Sequence, residues 1–435
     1  MIPLDVEIHL VAVLQRTVSV ALDHAEMHEN ILSGLRVYDE PEPLLVIEPL
    51  YCSFRHVRSG IPAEQNNSLC RQWKMPHGAR QKFFGNNFVT NETTCLDNRI
   101  RHGNPHGPRL VRLKPERTIL QGGSKPVATI VTGPAEGIAA AAAILDAGEV
   151  VALPTETVYG LGAAALDPAA CARIFEVKDR PLSDPLIVHL PSREWLDRVA
   201  VVSPVAFRLA EKFWPGPLTL VLPRLGIVPD LVTAGQETVA VRMSAHPVFS
   251  AVLQAYGKPV AAPSANRFGR ISPTSADDVV AELGGRIPLV IDGGPCEHGI
   301  ESTIVLVQDS ELHILRNGPV TAEELAAFGT VRGQVAGISA PGGLASHYAP
   351  RTPLVIGEPV PSPKTGLLSW QTAGEGFAQV EYLSKSHDLR EAAANLYGAM
   401  RRLDAAGLDL IIAEPVPESG LGRAIMERLK KAAAR

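Results

Sequence analysis

Cysteine is scarce and badly placed for pairing. The five residues Cys52, Cys70, Cys95, Cys171 and Cys296 are odd in number, scattered and nowhere in a C-x-x-C arrangement. That argues against a disulfide framework and against most structural zinc sites, and it fits a reducing cytoplasm. Long apolar runs are also missing. No stretch approaches the roughly 18 consecutive apolar residues of a membrane span, and no Lys or Arg precedes Arg16, so neither insertion nor a secretory leader is expected. The chain has no G-x-x-x-x-G-K-[ST], no H-E-x-x-H and no G-x-S-x-G, and Gly160-Leu-Gly162 lacks the third glycine of a dinucleotide fingerprint. The standard nucleotide and hydrolase folds lose support accordingly.

What is present is ordinary globular composition: 435 residues, 46% hydrophobic and 20% charged, with 37 Gly and 36 Pro. Wholesale disorder and fibrous architecture are excluded, and the length suggests about three domains at roughly 150 residues each. The net charge of −5 hides an asymmetry. Residues 1–50 carry 2 basic against 9 acidic side chains, residues 51–126 carry 13 against 4, and residues 127–435 carry 26 against 33. Residues 51–126 are rich in Asn, His and Arg without apolar periodicity, so 1–126 is expected to be disordered or a spurious extension. A nucleic-acid-binding arm, with Phe83, Phe84 and Phe88 for stacking, is the functional alternative.

From Val127 onward, strand-like and helix-like segments alternate, which predicts a mixed α/β fold. An Ala-rich helix is expected over 135–147, stopped by Gly148. Strands are expected at 149–154, 186–190, 218–222, 238–243, 259–262, 288–291 and 302–307. Gly333 to Pro350 is rich in Gly and Pro without a period and reads as a linker. Beyond it, strands are expected at 352–356, 365–369 and 408–413. A helix beginning near Asp388 carries an apolar stripe of Leu389, Ala392, Ala393, Leu396, Met400 and Leu403, and completes a small α/β domain over 352–435.

Six polar clusters sit at or near the ends of apolar strands. Pro154-Thr-Glu-Thr-Val-Tyr-Gly160 offers two hydroxyls, a carboxylate and a phenol to a small polar substrate, or equally a turn whose threonines cap a following helix. Lys178-Asp-Arg180 can grip two oxyanions of a polyphosphate, with His189 closing the next apolar run. Thr238, Ala240 and Arg242 share one strand face by alternation, suiting Arg242 to a carboxylate or phosphate and equally to a structural ion pair. Ala261-Ala-Pro-Ser264-Ala-Asn266, Asp292-Gly-Gly with Glu301-Ser302-Thr303, and Leu315-Arg316-Asn-Gly complete the set.

In chain order, PTETVYGLG, K-x-RP with PLIVH, WPGPLT, TVAVRMSAHP, APSAN, IDGG, ESTI and LR-GP closely resemble the YrdC-like threonylcarbamoyl-AMP synthase family over 127–333. His347-Tyr-Ala-Pro350 and the stretch from Gly420 to Leu429 resemble the long form with a C-terminal domain. The resemblance implies a YrdC-like twisted mixed sheet as a catalytic domain over 127–332, a linker over 333–351 and a Rossmann-like C-terminal domain over 352–435. It implies an enzyme that converts L-threonine, bicarbonate and ATP to threonylcarbamoyl-AMP and pyrophosphate, with Mg²⁺ as companion of the nucleotide. The product serves a downstream transferase complex that modifies position 37 of tRNAs reading codons that begin with A; tRNA or double-stranded RNA binding and a cytoplasmic location go with this role.

The site residues carried over by the resemblance are Thr157, His189, Arg242 and Ser302 for threonine. For ATP they are Lys178, Arg180, Asp184, Thr238, Ala262, Ser264, Ser272 and Arg316, with Lys178 and Arg180 as the catalytic cations and Tyr348 as a lid. Asp184 stands where relatives often have Asn, and a carboxylate cannot donate to phosphate. Ser244 and Leu344 replace residues that are often Pro and Met. Two rivals are weaker. An RNA-binding protein without turnover conflicts with the acidic balance of 127–435, and a hydrogenase-maturation carbamoyltransferase would carry paired C-x-x-C zinc motifs that are missing here.

Overall fold

Local signals set most elements of the structure, a computed structural model that describes Arg109–Leu110, residues 129–333, 335, 340–343 and 346–434. The leader expected over 1–126 lies outside these residues, apart from Arg109–Leu110. That dipeptide forms a short strand, β1, paired antiparallel to β2 (Ile130–Thr132). Helix α1 (Pro134–Asp146) has proline in its first turn, and Gly148 follows with φ +71°, a left-handed geometry that stops a helix cheaply only at glycine.

The chain then builds β3 (Val151–Leu153), β4 (Gly160–Ala164), α2 (Pro168–Lys178), β5 (Ile187–His189), α3 (Leu196–Val199), α4 (Pro204–Phe213), β6 (Leu218–Pro223), α5 (Asp230–Thr233) and β7 (Thr238–Arg242). After these come α6 (Pro247–Tyr256), β8 (Val260–Ala261), α7 (Ala276–Leu283), β9 (Leu289–Ile291), β10 (Thr303–Gln308), β11 (Glu311–Arg316), α8 (Ala322–Leu325) and β12 (Thr330–Arg332). One mixed sheet results, in the order β1-β2-β9-β3-β4-β8-β5-β7-β6-β10-β11-β12. The near-fingerprint Gly160-Leu-Gly162 is strand, not phosphate loop. A Cβ on Gly160 would stand 3.3 Å from Ala262 Cβ, and one on Gly162 3.0 Å from Val260 Cγ1, so these glycines allow β4 and β8 to approach closely.

Strand alternation divides the buried residues into two faces. Val188, Leu220, Leu222, Val239, Val241, Val305 and Val307 join the main core that the helices cover. Ile187, Val221, Ala240, Ile304, Leu306 and Leu315 line the opposite face, where Ala340 packs on them. His189 and Arg242, paired in register across β5 and β7, fall on this second face.

A four-stranded parallel sheet follows, in the order β13 (Leu354–Ile356), β16 (Leu410–Ala413), β14 (Thr365–Ser369), β15 (Gln379–Tyr382). Helices α9 (Leu389–Ala405) and α10 (Gly422–Ala433) flank it. Asp388 caps α9 by accepting from the backbone N–H of Arg390 and Glu391, and the expected stripe is buried at Ala392, Ala393, Leu396, Met400 and Leu403. Their core also takes in Val158, Ile271, Ile300 and Tyr348, so the small sheet's helices pack on the loops at one end of the large sheet. Among the described residues no helix is long and apolar enough to cross a membrane.

Candidate functional site

An open cleft of about 500 Å³ lies on the face of the large sheet where Ala340 packs, lined by residues that include Thr157, Arg180, His189, Arg242, Ala262, Ser264, Glu301, Ser302, Arg316 and Tyr348. They arrive from several turns and strand ends, Ala262 with Ser264 and Glu301 with Ser302 sharing one each. The turn after β3 is knitted by Thr155, whose Oγ1 accepts from the N–H of Thr157 and Val158 and donates to the Val158 carbonyl. No helix follows for it to cap; the chain runs straight into β4.

Arg242 donates from Nη2 to Glu156 Oε1 at 2.6 Å and to Thr157 Oγ1 at 3.1 Å, and from Nε to the Gly216 carbonyl. Ser244 Oγ donates to the other oxygen of Glu156. Burial alone would raise the Glu156 carboxyl, but the Arg242 charge and the hydrogen bonds from Ser244 and Arg242 overrule it and hold it at about 2, which is the expected outcome for a carboxylate donated to from both sides. Arg242 is therefore aimed by a buried anion while its Nη1 remains uncommitted. His189 sits beside it, its ring centroid 4.7 Å from that of Phe249. Burial, with Arg242 adding to it, pushes the imidazole down to about 3, and Nδ1 has no hydrogen-bond partner; the ring is neutral at physiological pH and can receive a polar ligand atom.

The left-handed Asp179 (φ 55°) ends α2. Its carboxylate turns outward to Arg267 and Arg286, while its neighbours Lys178 and Arg180 are buried. Arg180 donates to the Asp184 and Pro185 carbonyls and lies 2.9 Å from Asp184 Oδ2. Burial raises the Asp184 carboxyl. Arg316 donates from Nε to the Ser302 carbonyl, from Nη2 to Ser302 Oγ at 3.0 Å and from Nη1 to the Pro341 carbonyl. It owes this position to a register shift: Ile304 pairs with Arg316 but Val305 with Ile314. The extra residue, Leu315, turns Arg316 onto the cleft face instead of the helix-covered one.

The region 143–318 matches the family profile described as Telomere recombination, and 320–434 matches the threonylcarbamoyl-AMP synthase C-terminal domain. The chain is 41% identical over 318 residues to the threonylcarbamoyl-AMP synthase of Pyrococcus abyssi, covering 67% of this chain and 92% of that protein. It is 42% identical over 321 residues to the synthase of Bacillus subtilis, covering 68% and 92%. The crystal structure of P. abyssi Sua5 complexed with L-threonine superimposes with a TM-score of 0.63 at 40% identity, over 68% of this chain and 94% of that one. The chain belongs to the threonylcarbamoyl-AMP synthase family. Its members are nucleotidyltransferases, and both the twisted mixed sheet and the second, smaller α/β unit expected from the sequence are present.

Within this synthase fold the structure brings Thr157, Arg180, His189, Arg242, Ala262, Ser264, Ser302, Arg316 and Tyr348 to one cleft. Four other expected residues stand behind or beside its wall. Lys178 is buried, donating to the Ser264 and Asn266 carbonyls. Asp184 faces Arg180. Ser272 donates its hydroxyl to Glu301, and Thr238 opens β7, four residues from Arg242 along the strand. Sequence reasoning did not single out Glu156 and Glu301 as charge partners, nor Thr219, whose Oγ1 lies 2.8 Å from Ser302 Oγ. The motifs PTET, ESTI and WPGPLT contain all three, but their partners are far away along the chain.

Proposed function

We propose that this synthase joins L-threonine, bicarbonate and ATP to give L-threonylcarbamoyl-AMP with release of pyrophosphate. The observation that carries this reading is the polarity of the cleft. Arg242 keeps one nitrogen out of its hydrogen bonds to Glu156, Thr157 and Gly216 and has hydroxyls and a neutral imidazole beside it, while Arg180 and Arg316 have their forks fixed by carbonyls and Ser302. Arg242 Nη1 takes the threonine carboxylate, with Thr157 and His189 at the amine and hydroxyl. Arg180 and Arg316 face the phosphates, Ser264 and the Ala262 backbone border the nucleotide, and Lys178 supports the carbonyls on which that wall depends. The threonine amine captures bicarbonate as a carbamate with loss of water. A carbamate oxygen then attacks the α-phosphorus, and pyrophosphate leaves with the bond electrons. The chain's contribution is to hold the reactants together and to neutralise the charge that develops on the phosphates; no covalent nucleophile is required.

A resident magnesium ion does not fit the carboxylates nearby: Glu301, which lines the cleft, and Glu156 and Asp184, which stand behind its wall, each face an arginine. Magnesium would accompany ATP through phosphate oxygens and water. The division into a catalytic domain over 127–332, a linker over 333–351 and a small domain over 352–435 belongs to the same reading. So does the destination of the product as donor for threonylcarbamoyladenosine at position 37 of tRNAs reading A-starting codons, through a separate transferase. Pyrophosphate release by the purified full chain, with L-threonine and bicarbonate each supplied or omitted, tests the proposal. Release that needs both supports it; release indifferent to either, or none from folded protein, overturns it.

A further inference from the structure

Glu301 is the only carboxylate among the residues lining the cleft. A glutamate beside the place where a triphosphate is to lie should weaken binding, both by repelling phosphate and by competing for Arg316, whose positive field already reaches it. The small α/β unit answers both problems. Arg428 of α10, fully buried, donates from Nε to Glu301 Oε2 at 2.9 Å and from Nη1 to the Asn317 carbonyl. Tyr397 of α9 reaches both carboxylate oxygens, at 3.1 and 2.9 Å, and Ser272 donates to Oε1 at 2.5 Å. Three donors, from a loop and two helices, thus fix a single carboxylate, and among the described residues its formal counter-charge in hydrogen-bond contact comes from α10.

We propose that Arg428, with Tyr397, is a positioning residue for the nucleotide: it neutralises Glu301 and holds it off Arg316, leaving Arg316 available to phosphate. This inference rests on the ATP-binding reading above and gives the second sheet a direct part in the site. Arg428 touches no reacting atom. Without it, the buried glutamate has no cation of its own and turns on Arg316, whose charge already reaches it.

The test is calorimetric titration of the full chain with ATP alone, so that no turnover intervenes. Arg428→Met is expected to raise the Kd for ATP about tenfold, less than the truncation of a charge pair in direct contact with the ligand costs, because Arg428 acts on ATP only through Glu301 and Arg316. Adding Glu301→Gln to that variant removes the orphaned charge and is expected to bring the Kd back to within about threefold of wild type, the coupling expected of directly contacting groups. A purely structural arginine would show no such rescue. Tyr397→Phe, which keeps the cation and loses one hydroxyl, serves if Arg428→Met does not fold; its Kd should rise about two- to threefold, and Glu301→Gln should again reverse it. Unchanged ATP binding in the folded single variant, or a double variant as weak as the single, overturns the inference while leaving the proposed activity standing. Wild-type protein that does not bind ATP overturns both.

Discussion

Arg242 carries a full positive charge into a buried site only because Glu156 is there to meet it, and the pair's geometry decides which nitrogen is left for a ligand. A lysine at 242 would keep the charge but could not donate to Gly216, Glu156 and Thr157 and still present a free N–H. Arg242→Lys should therefore raise the KM for L-threonine by about tenfold or more while changing the KM for ATP little; steady-state kinetics with each substrate varied checks this. Gly342 is equally constrained. It holds φ +79°, and a Cβ there would overlap Tyr348 Oη, so Gly342→Ala combines backbone strain with a clash and should cost about 1–3 kcal/mol in urea denaturation. Tyr348 is itself left-handed at φ 62° and packs between His347 and Tyr397.

Elements that announce themselves locally were legible in the sequence. The stripe of α9 and the apolar runs of β5, β6 and β14 lie within a residue or two of their expected positions, because periodicity and burial are properties of consecutive residues. Helix α7 has a capping box in which Ser275 accepts from the Asp278 N–H and Asp278 accepts in return. Removing it with Ser275→Ala should cost about 1 kcal/mol, read as a lowered denaturation midpoint. Less legible was β4: Gly-Leu-Gly-Ala-Ala has the composition of a turn, and it is a strand because small residues let β3 and β8 close in on both sides. The bulge that aims Arg316 was also invisible, since register belongs to two strands at once. So was the Glu301–Arg428 pair, whose members stand 127 residues apart. The motifs therefore marked where ligand-facing atoms gather, but not the charges that hold them there.

On the scale of the whole molecule, the same buried groups set the response to acid. Glu156 and Glu301 are held at about 2 against an ordinary 4.5. Their contribution is complete above about 4.5 and is lost as pH falls through the folded values. His189 and His347 are pushed down to about 3 from 6.5 by burial. Between those values the unfolded chain binds protons that the folded chain refuses, so stability also falls as pH drops below 6.5. Both effects have the same sign. The thermal midpoint should decline from about pH 6.5 and more steeply below about 4.5, and a midpoint unchanged between 6.5 and 4.5 would show that these imidazoles are not buried in the neutral form.

The joint through Glu301 also bears on how such a chain can vary. Its anion comes from the loop before β10, its cation from the last helix and its phenol from α9, and either charge alone is worse than neither. An exchange of residues 352–435 with another relative can alter the outer faces of both helices freely, yet it must deliver a guanidinium at 428 or find the glutamate at 301 replaced as well. The two halves are separate sheets by hydrogen bonding, but by charge they are a single unit of inheritance.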